Sequence, residues 1–403
     1  MNVLVLNSGS SSHKSALYLI GDSLPSEAPQ PEWKAQIEWS ASSAKLQITS
    51  SRGSSREESV SSTDRRSAME YMLRTLWDGP DAILQNAASI DVVGHRIVHG
   101  GQKLVEPTIV TPEVKRVIAS VAAFAPLHNR AELEGIGIIE GLIGKVQQVA
   151  VFDTGFHRTM PETAYTYPGP YEWLDQGIRR YGFHGINHEY CSARAAQLLN
   201  RDLGSLKIVS CHLGNGCSLA AIAAGRSVDT TMGFTPLDGL MMGTRSGSVD
   251  PGILTYLMRE QSVTGAELDE TLNRKCGLLG ISGVSGDMRE ILAAIQQRNQ
   301  RAKLAFDMFV HRLRQGIAAM AASLQGVNVL LFTAGVGEHS PEIRKAACEG
   351  LTFLGIQLDA KKNAVSSGDQ EISTSDSDVK VLVIRAQEDW AMAKACALVL
   401  ARA

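Results

Sequence analysis

The chain has no Cys-x-x-Cys pair among its six cysteines, which sit mostly in apolar or glycine-rich runs. In 403 residues that spacing points to buried free thiols rather than a disulfide framework or a zinc site. Nor is there a surplus of positive charge: 39 Lys and Arg stand against 42 Asp and Glu, a net charge of −3. Neutralising a phosphate backbone takes a clustered basic excess, so no nucleic-acid partner is expected. A small anion needs only one local cluster of cations and stays open as a substrate. No apolar run reaches the ~18 residues of a membrane-spanning helix, and no membrane partner is expected. The first residues read as a strand, Val3-Leu4-Val5-Leu6, with no basic stretch before it, so the protein is read as cytoplasmic.

What is present is ordinary globular composition, 44% hydrophobic and 20% charged. The length is too great for one core and suggests two domains. Residues 2–20 read as strand, polar loop and strand, with Asn7-Ser8-Gly9-Ser10-Ser11-Ser12-His13-Lys14 as the loop. Residues 22–66 are polar and serine-rich, either a flexible excursion or a meander of edge strands. Trp33, Trp39 and the alternating Lys45-Leu46-Gln47-Ile48 favour strands there. Helices are expected at 68–77, 112–125, 302–324 and 388–400. Buried strands are expected at 91–95, 148–153, 208–211, 217–224, 327–332 and 379–384. The run 208–224 repeats the opening plan, with the turn His212-Leu213-Gly214-Asn215-Gly216 between its strands. Two similar α/β halves facing each other across a cleft would produce such a repeat.

Three loops have phosphate-sized chemistry. The 7–14 loop offers backbone N–H groups, hydroxyls and one cation directly after a strand. It is not a Walker loop, and serine-rich turns also occur simply as turns. The turns at His212–Gly216 and at Gly335-Val336-Gly337 let a ligand approach the backbone, or merely permit positive φ. Three such loops in two similar halves suggest a nucleotide held between domains. Arg96 lies between His95 and His99, His184 in Arg180-Tyr181-Gly182-Phe183-His184-Gly185, and Arg245 in Met242-Gly243-Thr244-Arg245-Ser246-Gly247. Singly, each reads as a surface or core-satisfied residue. Together they are what phosphoryl transfer requires, because its transition state spreads negative charge over three oxygens. Asp153 and Glu388 end predicted strands in different halves of the sequence. Two hard oxygen ligands fit Mg²⁺; capping or structural acids are the other reading.

Taken in order along nearly the whole chain, these strings resemble the acetate kinase family of the acetate and sugar kinase, Hsp70 and actin superfamily. The resemblance also runs through Gly94-His95-Arg96-Ile97-Val98-His99-Gly100-Gly101, Ala125-Pro126-Leu127-His128-Asn129, Val151-Phe152-Asp153-Thr154, Met232-Gly233-Phe234-Thr235-Pro236-Leu237, Gly280-Ile281-Ser282-Gly283 and Asp287-Met288-Arg289. It implies an α/β fold of two similar actin/Hsp70-like (ribonuclease H-like) domains across a nucleotide cleft. They would cover 1–153 with a closing helix 388–403, and 154–387. It implies a homodimer and a reversible transfer from ATP to acetate, giving acetyl phosphate and ADP. Magnesium is the implied metal, with Mn²⁺ as the alternative. The implied roles are these: Asn7 and Glu388 near the metal; Arg96 on the substrate carboxylate; Val98, Leu127, Phe183 and Pro236 around its methyl group. Asp153 would be catalytic, and His184 and Arg245 would stabilise the transferring phosphoryl. Lys14, His212, Leu213, Gly214, Asn215, Gly216, Asp287, Met288, Arg289, Gly335, Val336, Gly337, Glu338 and His339 would contact ATP. The chain departs from the family pattern at His13, Ser15, Arg130, Ser248, Ala334, His339 and Gln387-Glu388-Asp389-Trp390.

An acceptor carboxylate is already ionised at neutral pH, so Asp153 has no proton to remove from it. Orienting the metal shell or an arginine is the more physical role. Val98, two residues past Arg96, would share its face by strand alternation. A chaperone-like superfamily ATPase should lack both the carboxylate-binding Arg and the small apolar pocket. A propionate or butyrate kinase would keep both, since one methylene is worth only ~1–3 kcal/mol in such a pocket.

Overall fold

The computed structural model describes residues 1–9, 12–39, 43–60, 64–122, 129–365 and 368–402. The chain divides into two compact units, Met1–Gly155 with Gln387–Ala403, and Phe156–Ala386.

In the first unit the apolar opening run forms β1 (Asn2–Ser8), which turns back as β2 (Ser12–Leu19). The serine-rich region is the meander: β3 (Trp33–Trp39), β4 (Ala44–Ser50) and β5 (Ser55–Val60). Alternation does the work in β4, whose Ala44, Leu46, Ile48 and Ser50 are buried while the residues between are exposed. Then come β6 (Val92–Ile97), the short β7 (Thr108–Ile109) and β8 (Gln147–Phe152). Among the described residues these eight make one sheet, β5-β4-β3-β2-β1-β6-β8-β7. β1, β6 and β8 are parallel, so their carboxyl ends lie along one edge. One face packs Leu4, Leu6, Trp33, Ile37 and Leu46 against Met69, Met72 and Leu73 of the helix Arg65–Arg74 and Ile138 and Ile139 of the helix Asn129–Leu142. The helix Glu388–Leu400 packs on β1 and β6. Gly94 permits that approach: a Cβ there would stand 2.6 Å from Cys396 Sγ. The helix expected at 112–125 runs Pro112–Ser120, and residues 123–125 lie outside the described residues.

The second unit repeats the plan. β9 (Lys207–Leu213) pairs antiparallel with β10 (Cys217–Ala223), which pairs with β11 (Arg226–Thr230). β12 (Val329–Thr333), β13 (Gln370–Glu371) and β14 (Lys380–Val383) complete the order β11-β10-β9-β12-β14-β13. β9, β12 and β14 are parallel, as β1, β6 and β8 are. In each unit a central strand has an antiparallel hairpin partner on one side and two parallel strands on the other. A short antiparallel strand then closes that edge. The weak repeat in the sequence is therefore a repeat of topology. Ile208, Ala220, Leu331 and Ile384 pack with Cys191 and Ala195 of the helix Gly185–Leu198 on one face. The long helix Gln300–Ser323 packs on β9, β10 and β11.

Several local expectations change. Lys14 is in β2, opposite Asn7 in register, and not in a loop. His212 and Leu213 belong to β9. Gly335-Val336-Gly337 is no turn but part of a short helix, Ala334–His339. Glu338 makes that helix, its Oε1 accepting the Ala334 N–H at 3.0 Å, with Ala334 itself at φ +65°. Glu388 ends no strand; it is the first residue of the helix Glu388–Leu400. All six cysteines are free, five of them buried. No helix among the described residues is long and apolar enough to cross a membrane.

Candidate active site

In open α/β sheets ligands bind outside the carboxyl ends of parallel strands. In the first unit Asn7 and Arg96 lie one residue before the ends of β1 and β6, and Asp153 directly follows β8. Arg96 Nε lies 3.1 Å from both Asp153 oxygens, and Nη2 donates to Oδ2 at 2.5 Å. Nη1 donates to Asn7 Oδ1 at 3.1 Å. Among the described residues three of its five guanidinium donors are thus engaged, which leaves two for a ligand. Burial works against the Arg96 charge. The Asp153 carboxylate more than offsets it, with Glu388 adding, and holds the pKa above the ordinary arginine value. The metal donors implied by the resemblance, Asn7 and Glu388, are thus near Arg96 in the same unit.

A buried acid that the sequence did not single out stands behind this corner. Both oxygens of Glu132 accept the Val98 N–H at 3.1 Å. Burial pushes its carboxyl well above the usual range, against the pull of Val98 N–H and Arg96. β6 ends at Ile97, so strand alternation does not carry Val98; Glu132 fixes it instead. Asn129 Nδ2 donates to the next carbonyl, His99 O, at 3.0 Å. Leu127 lies outside the described residues.

In the second unit the carboxyl ends of β9 and β12 open onto a cavity of about 540 Å³. Its walls include Gly214, Asn215, Asp287, Met288, Arg289, Gly335, Val336 and His339, all expected to meet ATP. Asp287 caps the helix Met288–Gln296 through the Arg289 N–H at 2.8 Å and also pairs with the Arg289 guanidinium. That pairing, with the backbone bond, holds the Asp287 carboxyl below its usual value. Gly286, Leu292, Ser340 and Glu342 complete the wall and were not anticipated. Leu292 follows Met288 by one helical turn, so periodicity carried that signal. Of the other residues expected to meet ATP, His212, Leu213, Gly216, Gly337 and Glu338 are not among the cavity's walls. Glu338 instead bridges the Ala334 and Ala386 amides, at 3.0 and 2.8 Å. Lys14 belongs to the first unit, exposed on β2.

Beside the β9–β10 turn stand the two other expected phosphoryl ligands. A Cβ built on Gly216 would be 3.4 Å from Arg245 Nη1 and 3.5 Å from His184 Nε2. The His184 ring stacks on His212 at 3.9 Å, nearly parallel. His184 itself holds φ +57°, a conformation L residues adopt at a cost and mostly at functional positions. Arg245 Nη1 reaches the Pro236 carbonyl at 3.4 Å, and burial lowers the Arg245 pKa. Phe183 is buried, its carbonyl bound to His157 Nε2 at 3.0 Å. Phe183 and Pro236 lie in the second unit and Val98 in the first.

The residues implied to hold magnesium fit a sparsely ligated ion. Asn7, Asp153 and Glu388 offer hard oxygens, and no group of three His, Cys, Asp or Glu suited to a metal occurs among the described residues. Mg²⁺ takes one or two protein oxygens and fills the rest with water and phosphate.

A duplicated α/β sheet, a charged corner sized for a small anion and a glycine-walled cavity define a phosphotransferase. The chain belongs to the acetokinase family, whose model matches residues 2–394. The acetate kinase of Trichormus variabilis is 58% identical over 98% of this chain and 98% of its own. The crystal structure of Porphyromonas gingivalis acetate kinase has a TM-score of 0.90 at 40% identity, covering 99% of both chains. A propionate kinase from Francisella tularensis also scores 0.90, at 34% identity over 98% of this chain and 99% of its own.

Proposed function

We propose that this chain transfers the γ-phosphoryl of ATP reversibly to acetate, giving acetyl phosphate and ADP. The observation that carries the reading is the Arg96–Asp153–Asn7 corner. It presents a fixed guanidinium with two donors still to give, the geometry a carboxylate takes. Val98 in the first unit, held by Glu132, is our choice of a residue bordering the acyl group. The second unit's cavity holds the nucleotide, with Arg289 and His339 at its wall.

Acetate is an anion at neutral pH and needs no base. Its oxygen bonds to phosphorus as the bond to the bridging oxygen breaks, and that electron pair stays on ADP. Asp153 orients Arg96 rather than moving a proton. His184 and Arg245 take the charge on the equatorial oxygens, which is electrostatic preorganisation. Asn7 and Glu388 would hold a magnesium ion, which would supply neutralisation of phosphate charge.

The enzyme acts in the cytoplasm as a homodimer. The helix Pro251–Glu260 supports the dimer, since none of its residues is buried and Ile253, Tyr256 and Met258 are each about half exposed.

The likeness to a propionate kinase favours one second reading, a longer acyl acceptor. Coupled assays with acetate, propionate and butyrate decide between them. Acetate is expected to give the highest kcat/KM; a higher value for propionate or butyrate overturns the acetate assignment.

A further inference from the structure

Behind His184 runs a chain of buried hydrogen bonds that the reaction as described does not use. His184 Nδ1 lies 2.9 Å from Ser218 Oγ. The same Oγ lies 2.8 Å from His188 Nε2. His188 Nδ1 in turn lies 2.9 Å from Ser210 Oγ. Ser210, Ser218 and His188 are all fully buried. The arrangement follows from simple periodicities. His184 and His188 are one helical turn apart, and Ser210 and Ser218 sit on paired strands facing that helix.

We propose that Ser218 and His188 are positioning residues that decide which ring nitrogen of His184 carries its proton. The inference rests on the reading that His184 meets the transferring phosphoryl.

Proton counting limits the states this chain of bonds can take. A serine hydroxyl has one hydrogen and can donate to only one of its two histidines; with that bond made, Ser218 accepts from the other. His184 Nδ1 and His188 Nε2 must therefore be in opposite states. His188 is held neutral: burial, then His157 and His212, keep its pKa well below the usual value. It owns one ring proton and no more. Two orientations of the whole chain remain. In the first, Ser210 donates to His188 Nδ1, His188 Nε2–H donates to Ser218, and Ser218 donates to His184 Nδ1. His184 then carries its proton on Nε2, beside Arg245. In the second every bond reverses, and Nε2 offers a lone pair.

A phosphoryl oxygen needs the donor, so the first orientation is the productive one. The surroundings agree. The groups around His184 include His212, stacked on its ring; Arg245, which borders Gly216 with it; and His188 through Ser218. His188 is faced by His157 at 5.8 Å and His212 at 6.1 Å. An Nε2–H donor is what the relay supplies.

Side-chain ¹⁵N NMR of histidine-labelled protein tests this, with resonances assigned through His184→Asn and His188→Asn. The expected wild-type pattern is an unprotonated Nδ1 at His184 and a protonated Nε2 at His188. Ser218→Ala should change the state of at least one of these nitrogens. It should also lower kcat about tenfold or more, with KM for acetate and ATP within about twofold. Ser218→Thr, which keeps the hydroxyl, should restore both. Unchanged ¹⁵N signatures or unchanged kcat in Ser218→Ala overturn the inference, as does the reversed pattern in the wild type. Full turnover in His184→Asn would overturn instead the reading of His184 on which it rests.

Discussion

Acid should weaken the first unit, and His13 offers the cleanest probe of why. His13 is fully buried on β2, with Ser8 Oγ 2.9 Å from Nδ1 and Ser15 Oγ 2.7 Å from Nε2. Burial, with the charges of His95 and Arg65, pulls its pKa from 6.5 to about 3. The folded state thus holds His13 neutral while the unfolded chain protonates it below about pH 6.5. A depressed folded pKa gives stability that is present above the unfolded value and lost as pH falls toward the folded one. For one such group the loss between about pH 7.5 and about pH 5 comes to about 2 kcal/mol. His95 and His99, each lowered to about 4 by burial, add losses of the same sign. Glu132 and Asp389, both raised by burial, act in the opposite sense. All four cancel when His13→Gln is compared with the wild type at both pH values, because only the His13 proton differs. The assay is urea denaturation of each protein at each pH, followed by tryptophan fluorescence, since Trp33 packs in the same core. His13→Gln should lose about 2 kcal/mol less than the wild type on acidification. Equal losses in the two proteins would refute the reasoning.

Arg245→Ala should retain its circular dichroism yet lose about a hundredfold in kcat, as removal of a charge-assisted donor in a closed site does; near-normal turnover would remove Arg245 from the phosphoryl site. Asp153→Asn should raise KM for acetate and lower kcat, because Arg96 loses the partner that fixes it, and formate or azide should not rescue the rate; rescue would make Asp153 a true acid or base. Ala334→Gly should stabilise the protein by about 1 kcal/mol in thermal denaturation, since Ala334 holds φ +65° where only glycine is at ease; a lower melting temperature would show that no strain is stored there.

The two β-α plans were legible because apolar runs bounded by glycine and serine mark buried strands wherever they occur. Even the repeat between the first twenty residues and 208–224 proved to be one topology used twice. What the chain did not disclose depends on contacts across the fold. Ser12-His13-Lys14 has no apolar alternation, and it becomes strand because β1 supplies seven register partners from Asn2 to Ser8. Its departures from the family pattern, His13 and Ser15, become a buried polar link to Ser8 that no local signal announces. Two glycines made Gly335–Gly337 look like a turn, yet the Glu338 carboxylate captures the Ala334 amide and winds the segment into helix. Glu132 sits in an isoleucine-rich amphipathic helix where an acid normally faces water. The Val98 amide, 34 residues back, and the Arg96 charge offset its burial.

The two units also show how one topology yields two kinds of site. At equivalent carboxyl ends the first unit carries Asn7, Arg96 and Asp153, long polar side chains that fill the space with their own ion pair. What remains exposed is a few directed donors, enough for an anion of a few atoms. The second unit places Gly214 and Gly335 at the ends of β9 and β12, where side chains would otherwise stand. The space stays open, about 540 Å³ of it, bordered by backbone, a helix N-terminus and the Asp287–Arg289 pair. A volume of that order suits a nucleoside rather than a two-carbon acid. On the proposed function, the backbone plan sets where each unit would bind, and side-chain volume at the strand ends sets what it would bind.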